Sequence, residues 1–199
     1  MTIVLLVEGK TEVALRDALK SFMDARATQE GKLRVRLTTK PLDTSLLNPA
    51  RVRDQIAMSV RDREVACVIG LLDVYPRFQS AHEAKAFLLR AAGEEPRFHA
   101  HAAQYEVEAW LLPFWDKICQ KLRVQRQPPG GNPEEVDLQT PPSRHLSNLY
   151  RMAKRTYDKP RDVLAVLHDK DLTVIANQCP EFKALLNTLL LCAGLSILP

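Results

Sequence analysis

Five consecutive apolar residues, Ile3 to Val7, stand near the start of the chain and stop at Glu8. A continuous apolar run this short, rich in β-branched residues, predicts a strand covered on both faces. Leu15, Ala18, Leu19, Phe22 and Met23 then fall at i, i+3, i+4, i+7 and i+8, the stripe of a helix that packs by one side. "KLRVRLTT" alternates Leu33, Val35 and Leu37 with Arg34, Arg36 and Thr38, which predicts a second, less buried strand. After a loop punctuated by Pro41 and Asn48-Pro49, Val52, Ile56 and Val60 return to helical spacing. "VACVIGLLDVY" is a strongly apolar strand closed by Pro76. A helix with Ala84, Phe87, Leu88 and Ala91 follows, ended by Gly93, and "FHAHAAQ" makes a fourth strand. The order β-α-β-α-β-α-β predicts an α/β fold: a mostly parallel four-stranded sheet with helices on both faces.

Beyond Gln104 the pattern turns helical. Val107, Trp110, Leu111 and Phe114 form one stripe, and "QPPGGNPEEVDLQTPP" is a loop without periodicity. Ser143 is placed to cap a helix starting at Arg144. Phe182, Leu185, Leu186, Leu189 and Leu190 repeat the one-sided helical pattern. The expected organisation is an α/β core over 1–105 and a helical C-terminal lobe over 106–199 packed on it, with a Pro/Gly loop near 127–142. No internal repeat is visible.

Length changes this picture little, since 199 residues suit one compact domain with an appended lobe. An apolar fraction of 46% with 26% charged residues argues against disorder. Charge is more informative by position than in total. The net value is only +4, and residues 1–112 carry 16 Lys and Arg against 15 Asp and Glu. Residues 117–161 carry 10 against 4, the local excess expected of a surface that meets a polyanion. Cys67, Cys119, Cys179 and Cys192 are scattered without CxxC or zinc-type spacing and read as small core residues in a reducing compartment. The run Ile3–Val7 is too short for a signal peptide, and "LLNTLLLCAGLSILP" falls below the roughly 20 apolar residues of a membrane span. The expectation is a soluble cytoplasmic protein with no membrane partner.

The triplet Gly9-Lys10-Thr11 invites a phosphate-binding loop, but that motif needs a further glycine where Val4 stands, inside the first strand. Glu8 is the more informative residue. It lies at the carboxyl end of a buried strand, where open α/β sheets place their ligands, and Gly9 permits the turn that presents it. Asp73 ends the third strand and shares that edge if the two strands are neighbours. Two such carboxylates repel each other unless a cation sits between them. "YEVEAWLL" adds Glu106 and Glu108, which share a side if the segment is extended and lie on opposite faces if it is helical; spacing leaves both open. Three or four carboxylates about one crevice suit Mg²⁺ or Mn²⁺ acting on phosphodiesters.

"VLLVEGKTE" resembles the first motif of Toprim domains, the metal-dependent module of topoisomerases, bacterial primases and OLD-type nucleases. "GLLDVYPRF", "QYEVEAWLL", "NPEEVD", "PPSRHL", "YDKP" and "CPEFKALLNTL" resemble, in order and spacing, the motifs of a bacterial Toprim-like family labelled a domain of unknown function. The resemblance covers nearly the whole chain. It implies a Toprim-like fold, a nuclease-like protein with an ATPase partner, and a role in phage defence. It also implies that Glu8 is the Toprim glutamate, that Asp73 is the first aspartate of a DxD pair, and that Glu106 or Glu108 is a further metal ligand. Tyr75 stands where the second aspartate of that pair would be. On this reading Glu8 positions or deprotonates the attacking water and Lys10 neutralises phosphate charge, with Mg²⁺ or Mn²⁺ held by Asp73 and Glu106 or Glu108.

Arg144, Arg151, Lys154, Arg155, Lys159 and Arg161, interleaved with His145, Tyr150 and Tyr157, suit a nucleic-acid track in which cations hold phosphates and rings stack on bases. A solvated helix face with half-buried tyrosines would carry the same residues. His99 and His101 share a side of the fourth strand and suit either a metal or ordinary packing. The leucine-rich stretch from Leu185 to Leu198 closes the lobe, and any exposed remainder marks a homodimer or partner interface. Tyr75 also favours a rival reading, a non-catalytic interaction subunit that docks on an ATPase or on itself.

Overall fold

The structure is a computed structural model of the 199-residue chain. It describes every residue except 43–47 and 136–139; the side chains of Lys10 and Glu12 also lie outside what is described. Strands β1 (Thr2–Val7), β2 (Arg36–Pro41), β3 (Val65–Asp73) and β4 (Phe98–Ala103) form one all-parallel sheet in the order β2-β1-β3-β4. Helices α1 (Lys10–Gln29), α2 (Pro49–Val60) and α3 (Ala81–Ala92) join them, as the α/β pattern predicts. β1 is buried along its whole length, because α2 and α3 cover one face of the sheet while α1 and the C-terminal helices cover the other. On the first face Val4, Leu6, Val68 and Leu72 meet Val52, Ile56 and Leu88. On the second, Ile3, Leu5, Ile69 and Leu71 meet Leu15 and Leu19. The strand order reverses between β1 and β3, so these neighbours open a crevice at their carboxyl ends.

β2 begins at Arg36, three residues later than the alternation suggests, and Leu33 is 90% exposed. Its ladder partner starts at Thr2, opposite Arg36, so residues before Arg36 have no neighbouring strand to pair with. Residues Val107–Phe114 form a 3₁₀ helix rather than a one-sided α-helix. Buried residues surround it on all sides and Pro113 lies within it, so no amphipathic stripe develops.

The chain continues with α4 (Trp115–Leu122), α5 (Pro142–Met152), α6 (Lys159–Leu167), α7 (Thr173–Ala176) and α8 (Pro180–Cys192). α6 packs along α1, and α8 against β4. The expected stripe Phe182, Leu185, Leu186, Leu189 and Leu190 is fully buried. Each such side chain stabilises the fold by about 1.5–3 kcal/mol relative to leaving it exposed. Ile3 of the sheet and Leu198 beyond α8 belong to one apolar cluster. The segment after α8 folds back on α1, where the Ser196 N–H donates to Glu30 at 3.1 Å. Leu191 and Ile197 remain exposed. The reading of all four cysteines as isolated core residues is corrected. Cys119 and Cys179 are free and buried, but Cys67 on β3 and Cys192 at the end of α8 form a disulfide across a Cα–Cα distance of 6.2 Å. Folding brings together residues 125 positions apart, which no local spacing could announce. No described helix is long and apolar enough to cross a membrane.

Glu134 sits in a 3₁₀ turn (Pro133–Glu135) of the Pro/Gly loop, part of which lies outside the described residues. Although charged, it is buried, and it accepts the Trp110 indole N–H at 2.8 Å and the N–H groups of Glu181 and Phe182 at 3.0 and 3.3 Å. It thereby caps the amino end of α8 from a distance and fixes the indole. Glu134→Ala should lower the unfolding free energy by about 2–4 kcal/mol, since it strands several buried donors. Glu134→Gln, which keeps an acceptor oxygen, should lose less; urea denaturation of both variants measures the difference.

Candidate active site

Val7 on β1 lies opposite Leu71 on β3, so the two strands deliver Glu8 and Asp73 to the same edge. The Asp73 N–H donates to Glu8 Oε2 at 3.4 Å. Gly9, between Glu8 and α1, has φ −134°, ordinary extended backbone, so glycine's conformational freedom is not what makes this turn. Glu8, Thr11, Asp73, Tyr75, Arg77 and Lys159 line an open cleft of about 450 Å³.

The repulsion expected between strand-end carboxylates is relieved by cations from the chain itself. After β3 the chain turns sharply through a cis Tyr75-Pro76 bond, and the Arg77 and Phe78 N–H groups both donate to the Val74 carbonyl. This turn carries the Arg77 guanidinium back onto Glu8 Oε1, where the two form an ion pair. Lys159, at the first turn of α6, reaches Glu108 Oε1 at 2.7 Å. Thr11 Oγ1 donates to the same oxygen at 3.4 Å. Glu108 is 0% exposed, whereas the Lys159 side chain is 46% exposed. Burial pushes the Glu108 carboxyl above its usual range, against the pull of Lys159. Burial alone would lower Lys159, but Glu108 outweighs it and holds the ammonium more firmly charged. Partial burial lowers Arg77.

The four acidic candidates divide by what their oxygens do. Asp73 Oδ1 accepts the Val107 N–H at 2.9 Å and so starts the 3₁₀ helix. Glu106 spends both oxygens on Ser143, accepting its N–H at 2.9 Å and its hydroxyl at 3.0 Å. The expected cap is thus corrected: α5 begins at Pro142, and the acceptor at its amino end is Glu106 across the fold rather than the Ser143 side chain. Glu106 precedes the 3₁₀ helix in extended backbone and Glu108 lies within it, which turns them toward different partners. Glu108 Oε2 is buried with no hydrogen-bond partner among the described residues, which fits it to meet a cation. The donor set also fits a divalent metal, since carboxylate oxygens are the ligands Mg²⁺ and Mn²⁺ prefer. Glu8, Asp73 and Glu108 are not, however, a group whose ligand atoms all lie within 4.8 Å of one another. Arg77 and Lys159 hold two of them instead.

The model for a family described as "Domain of unknown function (DUF4276)" matches residues 7–190, which takes in every residue of this cleft. The chain belongs to the DUF4276 family. No curated protein matches it. Among solved structures it is similar to the C-terminal region of the Burkholderia pseudomallei OLD protein, at 11% identity and a TM-score of 0.49, covering 92% of this chain and 98% of that one. A second similar structure is the C-terminal region of the Xanthomonas campestris pv. campestris OLD protein, at 12% identity and a TM-score of 0.45, covering 92% and 95%.

In this DUF4276 protein the six expected nucleic-acid contacts, Arg144, Arg151, Lys154, Arg155, Lys159 and Arg161, are all exposed. They run from the first turn of α5 to the first turn of α6, and both turns rest on the acidic segment through Ser143 and Lys159. Arg161 pairs with Asp162 at 3.0 Å, and the Arg155 guanidinium lies 5.8 Å from the Tyr150 ring centroid. Tyr150 is buried, with its hydroxyl pushed up to about 12 by that burial, and packs 5.2 Å from Tyr157. The Tyr150 ring is therefore core rather than a stacking platform. Arg77 and Thr11 were missed as site residues; the signal for Arg77 was its place just after Pro76, where a strand-closing turn sends the chain back. The Lys10 side chain lies outside the described residues.

Because the folded Glu108 carboxyl titrates above its ordinary 4.5, the folded chain holds a proton that the unfolded chain has lost. Its contribution to stability is present below that value and fades as pH rises through the folded pKa. The stability of the wild type relative to Glu108→Gln should therefore fall from pH 4.5 upward, by no more than about 1.4 kcal/mol per pH unit. Urea denaturation of the pair across that range is the measurement; a flat difference would contradict the buried carboxylate.

Proposed function

We propose that this DUF4276 chain is a Toprim-like, Mg²⁺- or Mn²⁺-dependent nuclease-like protein acting on nucleic-acid phosphodiesters. The observation that carries this reading is the buried Glu108 oxygen that has no hydrogen-bond partner among the described residues, joined through Thr11 and Lys159 to the cleft that Glu8 and Asp73 line at the edge of adjacent parallel strands. Asp73 and Glu108 are the residues that would hold the metal. Glu106, committed to Ser143, would position α5 instead. A bound divalent cation supplies Lewis acidity to a phosphoryl oxygen.

The chain's own groups divide the remaining work. Glu8 accepts the proton of the attacking water at a carboxylate oxygen once Arg77 has released it. Arg77 and Lys159 neutralise carboxylates in the resting cleft, and an incoming phosphodiester offers both a competing anion. Lys10 adds positive charge beside the phosphate. Arg144, Arg151, Lys154, Arg155 and Arg161 continue the positive surface along the strand's path, which would make binding strongly salt-dependent. An ATPase partner and a role in phage defence rest on the sequence resemblance.

One observation favours a second reading, a non-catalytic subunit that docks on an ATPase or on itself. Tyr75 occupies the position of the second DxD aspartate, and its ring stacks on Tyr105 at 5.2 Å. Cleavage of end-labelled DNA and RNA with Mn²⁺ or Mg²⁺, against EDTA, separates the two. On the nuclease reading Glu8→Gln should reduce cleavage about 10²–10⁴-fold with its melting temperature kept. Arg77→Ala should increase the Mn²⁺-dependent rise in melting temperature, because a cation held by Asp73 and Glu108 is then no longer repelled by the guanidinium that lines the same cleft. No cleavage, no Mn²⁺ effect on melting and a concentration-dependent mass would support the docking subunit.

A further inference from the structure

Cys67, Cys192 and His99 offer two sulfurs and an imidazole nitrogen that all lie within 4.8 Å of one another. They stand at the junction of three elements. Cys67 lies on β3 and His99 on the neighbouring β4, with His99 opposite Ile69 in the register. Cys192 ends α8. One turn earlier on α8, Thr188 Oγ1 meets His101 Nε2 at 3.0 Å, which fixes the register of the helix against the strand and holds Cys192 level with His99. Cys67 is buried, while His99 and Cys192 are half-buried, so solvent reaches one side of the group. No zinc-type spacing announces the group along the chain, because its members come from positions 67, 99 and 192.

We propose that these three residues form a binding site for a soft divalent cation such as Zn²⁺, open when Cys67 and Cys192 are thiols and closed by their disulfide. Two thiolates and one imidazole are the donors such an ion prefers. Tetrahedral zinc, with sulfur at 2.3 Å and nitrogen at about 2.0 Å, places ligand atoms roughly 3.5–3.8 Å apart. The three atoms already lie within 4.8 Å of one another, and reduction of the disulfide frees the two sulfurs to separate to that spacing. Binding releases the two thiol protons, and water completes the fourth position. Either state ties α8 to the sheet. The site lies six residues from Asp73 along β3, about 20 Å at 3.3 Å per residue, so it is separate from the acidic cleft and does not depend on the nuclease reading.

The test is a Co²⁺ titration of the full chain, metal-free and reduced with a phosphine, beside the same chain oxidised. The expected result is a thiolate-to-cobalt charge-transfer band that saturates at one ion per chain and bleaches on adding Zn²⁺. Oxidised protein should show no band, although it keeps Cys119 and Cys179 as thiols. His99→Gln, which keeps both thiols, should weaken Co²⁺ binding by at least the roughly 10–100-fold that losing even an outer-shell partner costs. A reduced wild type without the band, a band equally strong after oxidation, or unchanged affinity in His99→Gln would each overturn the proposal.

Discussion

A helix that starts inside a protein presents backbone N–H groups that need acceptors, and in this chain carboxylates supply them across the fold. Asp73 accepts from the 3₁₀ helix at Val107, Glu106 from α5 at Ser143, and Glu134 from α8 at Glu181 and Phe182. Each negative charge faces the positive end of a helix, which makes its burial tolerable. The positions of the lobe helices relative to the sheet depend on these contacts. They also set what each acid keeps for chemistry, since Glu106 gives both oxygens to the start of α5 whereas Asp73 gives Oδ1 to the Val107 N–H.

The same accounting explains the cleft. Glu8 and Glu108 are the acids without a helix to cap, and each is met by a cation from a turn: Arg77 after β3, Lys159 at the start of α6. The crevice at the strand-order reversal is therefore an arrangement of paired charges rather than bare acids. Guanidinium and ammonium stand where two carboxylates would otherwise repel each other.

Sheet and helices were legible where burial is periodic. The apolar runs of β1 and β3 and the stripes of α1 and α8 follow from side-chain geometry alone, and so does the placing of Glu8 and Asp73 at strand ends, whereas their shared edge needed β1 and β3 to be neighbours. Contacts set by folding were not legible. Glu106 and Glu108 could not be separated, because the chain changes from extended to 3₁₀ between them and neither period applies. Glu134 lies in a loop without periodicity, yet it is buried by three donors that come from distant segments. Lys159 read as one cation of a basic run, and only the packing of α6 on α1 shows it facing Glu108. The disulfide joins residues 125 positions apart in the sequence, beyond any spacing rule.

The apolar cluster that runs from Ile3 to Leu198 has a consequence for how the protein forms. α1 covers part of the sheet face bearing Ile69 and Leu71 and residues far along the chain cover the rest, so completing its burial waits on closing very long loops. During synthesis the part that α1 leaves open stays uncovered until α8 has left the ribosome. Docking of α8 is therefore the step that withdraws this apolar surface from aggregation.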